Sequence, residues 1–166
     1  METLIAEKQT NLLLGIDNEV LNLDFERIKF KLLVKEDGEA WSKEKIDLAE
    51  IEYRKYLTLI KLYPKKSIVP SKLMDEFWHM HILDTKAYRE DCNLIFGRFI
   101  DHFPYFGIYG EEDRQNLLEH FEETKSLYQK HFSRELPNAN ASRCADHACH
   151  VQSDCACRVE GACKSH

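Results

Sequence analysis

From Ser42 to Pro64 the apolar residues fall on one stripe: Ile46, Ala49, Tyr53, Tyr56, Leu57 and Ile60 recur at steps of three and four. That is the period of an α-helix with one wide buried face, and the proline marks its end. A face of that width has to be covered by other elements, and no stretch of the chain alternates apolar and polar residues for long enough to supply a sheet. The cover is therefore expected to be helical.

Three further segments carry the same period. Asp24 stands as a cap before Phe25, Ile28 and Leu32, in a helix expected to end near Gly38. Pro70 and Ser71 introduce a third helix, read as one continuous element closing at Gly97, with Ser71 as its N-cap. A fourth starts at Glu111, Glu112 and Asp113, whose charges suit a helix N-terminus. It turns Leu117, Leu118, Phe121, Tyr128 and Phe132 inward and stops before Pro137. Between the last two, "RFIDHFPYFGIYG" is aromatic-rich and broken by Pro104, Gly107 and Gly110, so it reads as a packed connection. The expected fold class is all-α, a small bundle of about four main helices.

With 166 residues, 43% of them hydrophobic, the chain suffices for one domain with a modest core. Composition changes abruptly after "ELPNANAS", which divides the chain into a helical domain, 1–136, and a Cys/His-rich tail, 137–166, expected to be flexible and disordered. The net charge of −6 is spread through interspersed acids and bases, with no basic stripe, so nucleic acid is not an expected partner. The opening "METLIAEKQT" has no apolar run of signal-peptide or membrane-span length, giving a cytoplasmic protein without a membrane partner as the expectation.

The third helix contains Trp78, His79, Met80 and His81. Residues two apart on a helix project about 200° from each other, so His79 and His81 cannot easily meet one ligand without a distortion. Met74, Phe77, Trp78, His81, Thr85, Tyr88 and Cys92 share the face expected to pack inward, which makes His81 a buried ring with Thr85 or Tyr88 as hydrogen-bond partner. Asp75 lies one turn before His79, where its carboxylate can fix the imidazole tautomer. His102 returns a third imidazole, beside Asp101, shortly after the helix. Together His79, His81 and His102, with Asp75 as a ligand or behind one, form a candidate transition-metal site. Cys92 and His81 are separated by about 16 Å of continuous helix and so make no nucleophile and base pair; Cys92 reads as a small buried hydrophobe.

Asp75, Trp78, His79 and His81, followed by Tyr88, Asp91, Cys92, Phe96, Gly97 and His102, resemble the glycine-rich domain-containing protein-like family. The resemblance runs from about Asp24 to Tyr109 and is strongest from Val69 onward. It implies a helical fold and marks His79, His81 and His102 as motif positions, without implying a reaction. With six glycines this chain lacks the glycine-rich region of longer members.

Five of the six cysteines, Cys144, Cys149, Cys155, Cys157 and Cys163, lie in the tail with His147 and His150. Their spacing does not match a zinc finger and better suits a flexible ligand for soft metals, zinc or copper. Disulfides are the weaker account, since the tail cysteines are odd in number and no export signal is visible. The leading expectation is a transition-metal-binding protein, a metal-handling or binding module, with zinc, iron or copper as its ion. The alternatives are a metal-dependent enzyme using the histidine motif, and a precursor whose cysteine-rich C-terminal peptide is modified. A protein partner or a tail-modifying enzyme would then join the metal as partner. Whether the chain is an enzyme is not decided by its residues.

Overall fold

The stripe that begins after Ser42 forms the spine of the fold. The computed structural model describes residues 12–34, 39–137 and 148–151. Its elements, in chain order, are α1 (Asn18–Leu21), α2 (Glu26–Leu33), α3 (Lys43–Leu62), α4 (Lys72–Leu83), α5 (Thr85–Phe96), β1 (His102–Phe106), α6 (Glu111–Phe132) and β2 (Ala148–Val151). The all-α reading holds, because helices form the body and the strands are two short segments.

Helix α3 is central and packs against α1, α2, α4 and α6. The Ser42 hydroxyl accepts from the Lys45 N–H at 3.2 Å and so caps its first turn. All six stripe residues, Ile46, Ala49, Tyr53, Tyr56, Leu57 and Ile60, are buried as expected. Tyr53 and Tyr56 meet Phe25 of the α2 entry and Phe77 and Trp78 of α4, which gives an aromatic centre to the core.

Several details depart from the periodicity. Asp24 sits one residue outside its expected capping position: Phe25 is the N-cap of α2, and the Asp24 carboxylate accepts from the Glu26 N–H at 3.0 Å. That helix ends at Leu33, and the expected stop near Gly38 lies outside the described residues.

The third expected helix is two. It breaks at Asp84, whose φ of −83° and ψ of 70° leave the helical region and whose carboxylate accepts from the Ala87 N–H to start α5. The apolar stripe hid the break, because an aspartate is tolerated inside a helix yet competes for backbone N–H groups when the chain can turn. Gly97 closes α5 in the left-handed region at φ 65°, as a helix C-terminus of this kind requires.

The connection after α5 is also more regular than expected. Residues His102–Phe106 pair antiparallel with Ala148–Val151, in the register His102 opposite Val151, Phe103 opposite His150 and Phe106 opposite Ala148. One register shift falls between Phe103 and Phe106. Four residues of the cysteine-rich stretch are thus a strand laid on β1. Positions 138–147 and 152–166, with Cys144, His147, Cys155, Cys157 and Cys163, lie outside the described residues.

Two sets of buried charges tie the helices together. The Arg54 guanidinium donates to the carbonyls of Val20, Leu21 and Leu23 at the end of α1, and to Glu50 at 2.6 Å. A cation is well placed there, since the C-terminal carbonyls of a helix lack intrahelical partners. Deeper in, the Lys55 ammonium donates to Glu52 at 3.1 Å and to the Tyr128 hydroxyl at 2.9 Å, and that hydroxyl donates to Glu52 at 2.6 Å. Burial, working against the attraction of Glu52, moves the Lys55 ammonium below its usual pKa.

Candidate metal centre

Asp75 and His79 stand one turn apart on α4, so their side chains share a face. His102 is delivered to that face by a short chain of hydrogen bonds. The Trp78 indole N–H donates to the Tyr88 hydroxyl at 3.0 Å, and that hydroxyl donates to the Ile100 carbonyl at 2.7 Å. This anchors the segment between α5 and β1 two residues before His102, whose ring then lies 4.5 Å from the Trp78 ring.

The result is a triangle of donor residues in which each imidazole faces a different oxygen of Asp75. His79 Nε2 and His102 Nε2 are 2.8 Å apart, His102 Nε2 lies 3.3 Å from Asp75 Oδ1, and His79 Nε2 lies 3.5 Å from Asp75 Oδ2. For ligands about 2.0–2.1 Å from an ion, donors lie about 2.9 Å apart at right angles and about 3.4 Å apart in a tetrahedron. The Nε2–Nε2 separation and the two imidazole–carboxylate contacts, which end on different oxygens of Asp75, fall close to that range.

Between the two Nε2 atoms one neutral imidazole can donate and the other accept. A metal ion could instead take one lone pair from each of the three residues.

Burial favours the neutral form of His79, the form a metal requires. Asp75 is 3% exposed, and the His102 side chain is 13% exposed, while His79 stands at the edge with 40% of its side chain accessible. Burial lowers the His79 pKa; Asp75 opposes that shift and His102 adds to it.

His81 takes a different place. It is buried, as its stripe position implied, but its Nδ1 is 3.0 Å from the Tyr53 hydroxyl and its Nε2 is 2.9 Å from Asp91 Oδ2. The expected partners Thr85 and Tyr88 do not form these bonds; Tyr88 offers its ring edge-on at 5.0 Å. The two histidines of the motif therefore serve separate partners, and the structure gathers Asp75, His79 and His102 without His81.

Asp91 was not foreseen as a partner of His81. Along one continuous helix ten residues span about 15 Å, and only the turn at Asp84 brings α5 back alongside α4. Cys92 is buried, and burial raises its thiol pKa, which suits an inert core residue. Of the tail candidates, Cys149 and His150 fall within β2.

A family model, UCP032817-like, matches residues 17–147. The chain belongs to that family. The UCP032817-like family is uncharacterised, and the match replaces the expected membership of the glycine-rich domain-containing protein-like family, which no comparison indicates. The short Trp-His-x-His run on one helix invited that reading. The UCP032817-like match takes in all three residues of the triangle and continues past Leu136 to His147. No curated protein and no solved structure matches the chain. Among the described residues no helix is long and apolar enough to cross a membrane.

Proposed function

We propose that this UCP032817-like protein binds a transition-metal ion through Asp75, His79 and His102 and acts as a metal-handling or binding module. The observation that supports it is the convergence of two Nε2 atoms and a buried carboxylate within 3.5 Å of one another. Nitrogen and carboxylate donors suit zinc or iron, and copper(II) is compatible with the two imidazoles. His81 is no longer a ligand in this proposal, since Tyr53 and Asp91 engage both its ring nitrogens. The tail cysteines and histidines remain a second source of ligands, and a cytoplasmic setting would keep their thiols reduced.

The test is elemental analysis of the full chain purified anaerobically, beside His79→Ala and His102→Ala. About one equivalent of metal in the parent, lost from both variants, is the expected result. Metal content unchanged by both replacements would place the ion elsewhere and end the proposal.

A catalytic reading is supported by one feature. Three protein ligands leave coordination positions open, as a hydrolytic ion needs for water. Turnover of a hydrolysable substrate that depends on the metal and on His79 would favour it over handling.

A further inference from the structure

The outer face of α2 carries two cations that the described fold does not pair. Arg27, Phe30, Lys31 and Val34 occupy positions i, i+3, i+4 and i+7, which puts them on one side of the helix and its C-cap. All four are exposed, Phe30 by 65%. Lys29, on the same helix, is held by Glu26 and Glu50, each at 3.0 Å. Among the described residues Arg27 and Lys31 make no ion pair or side-chain hydrogen bond, although the chain holds 29 acids against 23 bases. Helix energetics does not explain them either. Arg27 stands in the first turn, where a cation opposes the helix dipole, and one turn from a like charge.

The same two cations line a cleft of about 280 Å³ between α2 and the end of α4, with Ile28, Met80, Leu83 and Asp84 completing its walls. Leu83 is 66% exposed, a large apolar side chain left in water. The Asp84 carboxylate is engaged by the Ala87 N–H at the start of α5, so the cations set the sign of the cleft. Sites that enclose a whole small molecule run from about 300 to 1,000 Å³, so this cleft is better matched to one anchoring side chain of a longer ligand.

We propose that the cleft and the adjoining α2 face dock an acidic peptide segment of a partner protein, with one apolar side chain entering between Ile28, Met80 and Leu83 and flanking carboxylates pairing with Arg27 and Lys31. Burial of the anchor and of Leu83 supplies affinity, while the charge pairs fix orientation and speed encounter. The planar Arg27 guanidinium can take a carboxylate through two parallel hydrogen bonds. An anionic membrane fits less well, because Met80 and Leu83 line a recess that also holds a carboxylate, where a lipid surface needs a protruding apolar face. None of Asp75, His79 and His102 lines the cleft, so docking there does not depend on the metal reading.

The probe is a display library of short random peptides selected on the immobilised full chain. The enriched peptide, labelled with a fluorophore, is titrated by anisotropy against the parent, the double variant Arg27→Glu with Lys31→Glu, and Leu83→Asp. All three positions are exposed, and thermal unfolding checks that the variants keep the parental fold. Vesicles of phosphatidylserine and phosphatidylcholine form a second arm.

The expected result is enrichment of sequences that set Asp or Glu beside Leu or Phe, with affinity lowered about tenfold or more in the charge-reversed variant and in Leu83→Asp. Replacing the acids of the peptide by lysine should abolish binding to the parent and restore it to the charge-reversed variant. Selection of basic or purely apolar peptides, or of none, would overturn the proposal. An acidic peptide whose affinity is unchanged in both variants would place its site elsewhere and do the same. Vesicle binding that is lost with Arg27 and Lys31, without any selected acidic peptide, would assign the face to lipid instead.

Discussion

The Tyr53 hydroxyl and His81 Nδ1 meet at 3.0 Å in the core, joining α3 to α4 across 28 residues of sequence. On its other side the same ring reaches Asp91 at 2.9 Å, so one imidazole ties three helices. His81→Ala is expected to destabilise the fold by about 2–4 kcal/mol, from the cavity and from the buried Tyr53 hydroxyl and part-buried Asp91 carboxylate left without their partner. Metal content of whatever remains folded should not change. Denaturant titration with elemental analysis checks this, and a His81→Ala protein of parental stability would refute it.

His79 gives the opposite expectation. Its side chain is 40% accessible and it meets Asp75 and His102 of the donor triangle. His79→Ala should leave the stability of the metal-free protein within about 0.5 kcal/mol. It should weaken zinc binding by more than about 100-fold, since even residues behind a metal ligand commonly cost 10–100-fold. Zinc titration calorimetry and thermal unfolding in chelator separate the two effects. Parental zinc affinity in the variant would contradict the assignment.

The Lys55, Glu52 and Tyr128 cluster is a buried charge set whose members depend on one another. Lys55→Met alone should cost about 3–5 kcal/mol, because Glu52 then stays buried without its cation. Combining it with Glu52→Leu should recover much of the loss, as apolar replacement of a buried pair is often neutral. A double-mutant cycle in urea measures the coupling, and simple additivity of the two single losses would rule it out.

Asp17 caps α1 through the Glu19 and Val20 N–H groups and accepts from Lys61 at 2.9 Å. Burial raises its pKa, but the Lys61 hydrogen bond and charge and the two backbone donors outweigh that and hold it below its usual value. A carboxyl whose pKa is depressed by folding contributes stability above its unfolded pKa and loses it as the pH falls through the folded value. Asp17→Ala should therefore cost about 1 kcal/mol at neutral pH. That difference should shrink as the pH falls from about 4, near the unfolded pKa, down through the lower folded value, beneath which the parent carboxyl is protonated in both states. Urea midpoints of the two proteins across that range provide the check; a constant gap would show that the ionised form contributes nothing.

The core was legible in the residues because burial imprints a period. Ile46, Ala49, Tyr53, Tyr56, Leu57 and Ile60 announced α3, and the burial of His81 followed from its place on the same kind of stripe. Asp84 was not legible as a break, since side-chain periodicity runs through a turn whose two helices both face the core. The pairing of β1 with β2 left no pattern either: a short strand with a bulge never alternates for long, and its partner lies 42 or more residues away.

The sequence by itself determined an all-helical body, most of the buried positions of its helices (Leu118 and Thr85, read as inward, are exposed), and a set of candidate nitrogen, oxygen and sulfur donors. It also placed Asp75 beside His79, because helical neighbours one turn apart are fixed by local geometry. Only the tertiary structure decided which donors meet. His102 joins that pair, and His81 leaves it for Tyr53 and Asp91, through contacts set by the turn at Asp84 and by the Trp78, Tyr88 and Ile100 hydrogen bonds. Convergence of groups distant along a chain depends on how helices are folded back and packed, and no local period encodes that.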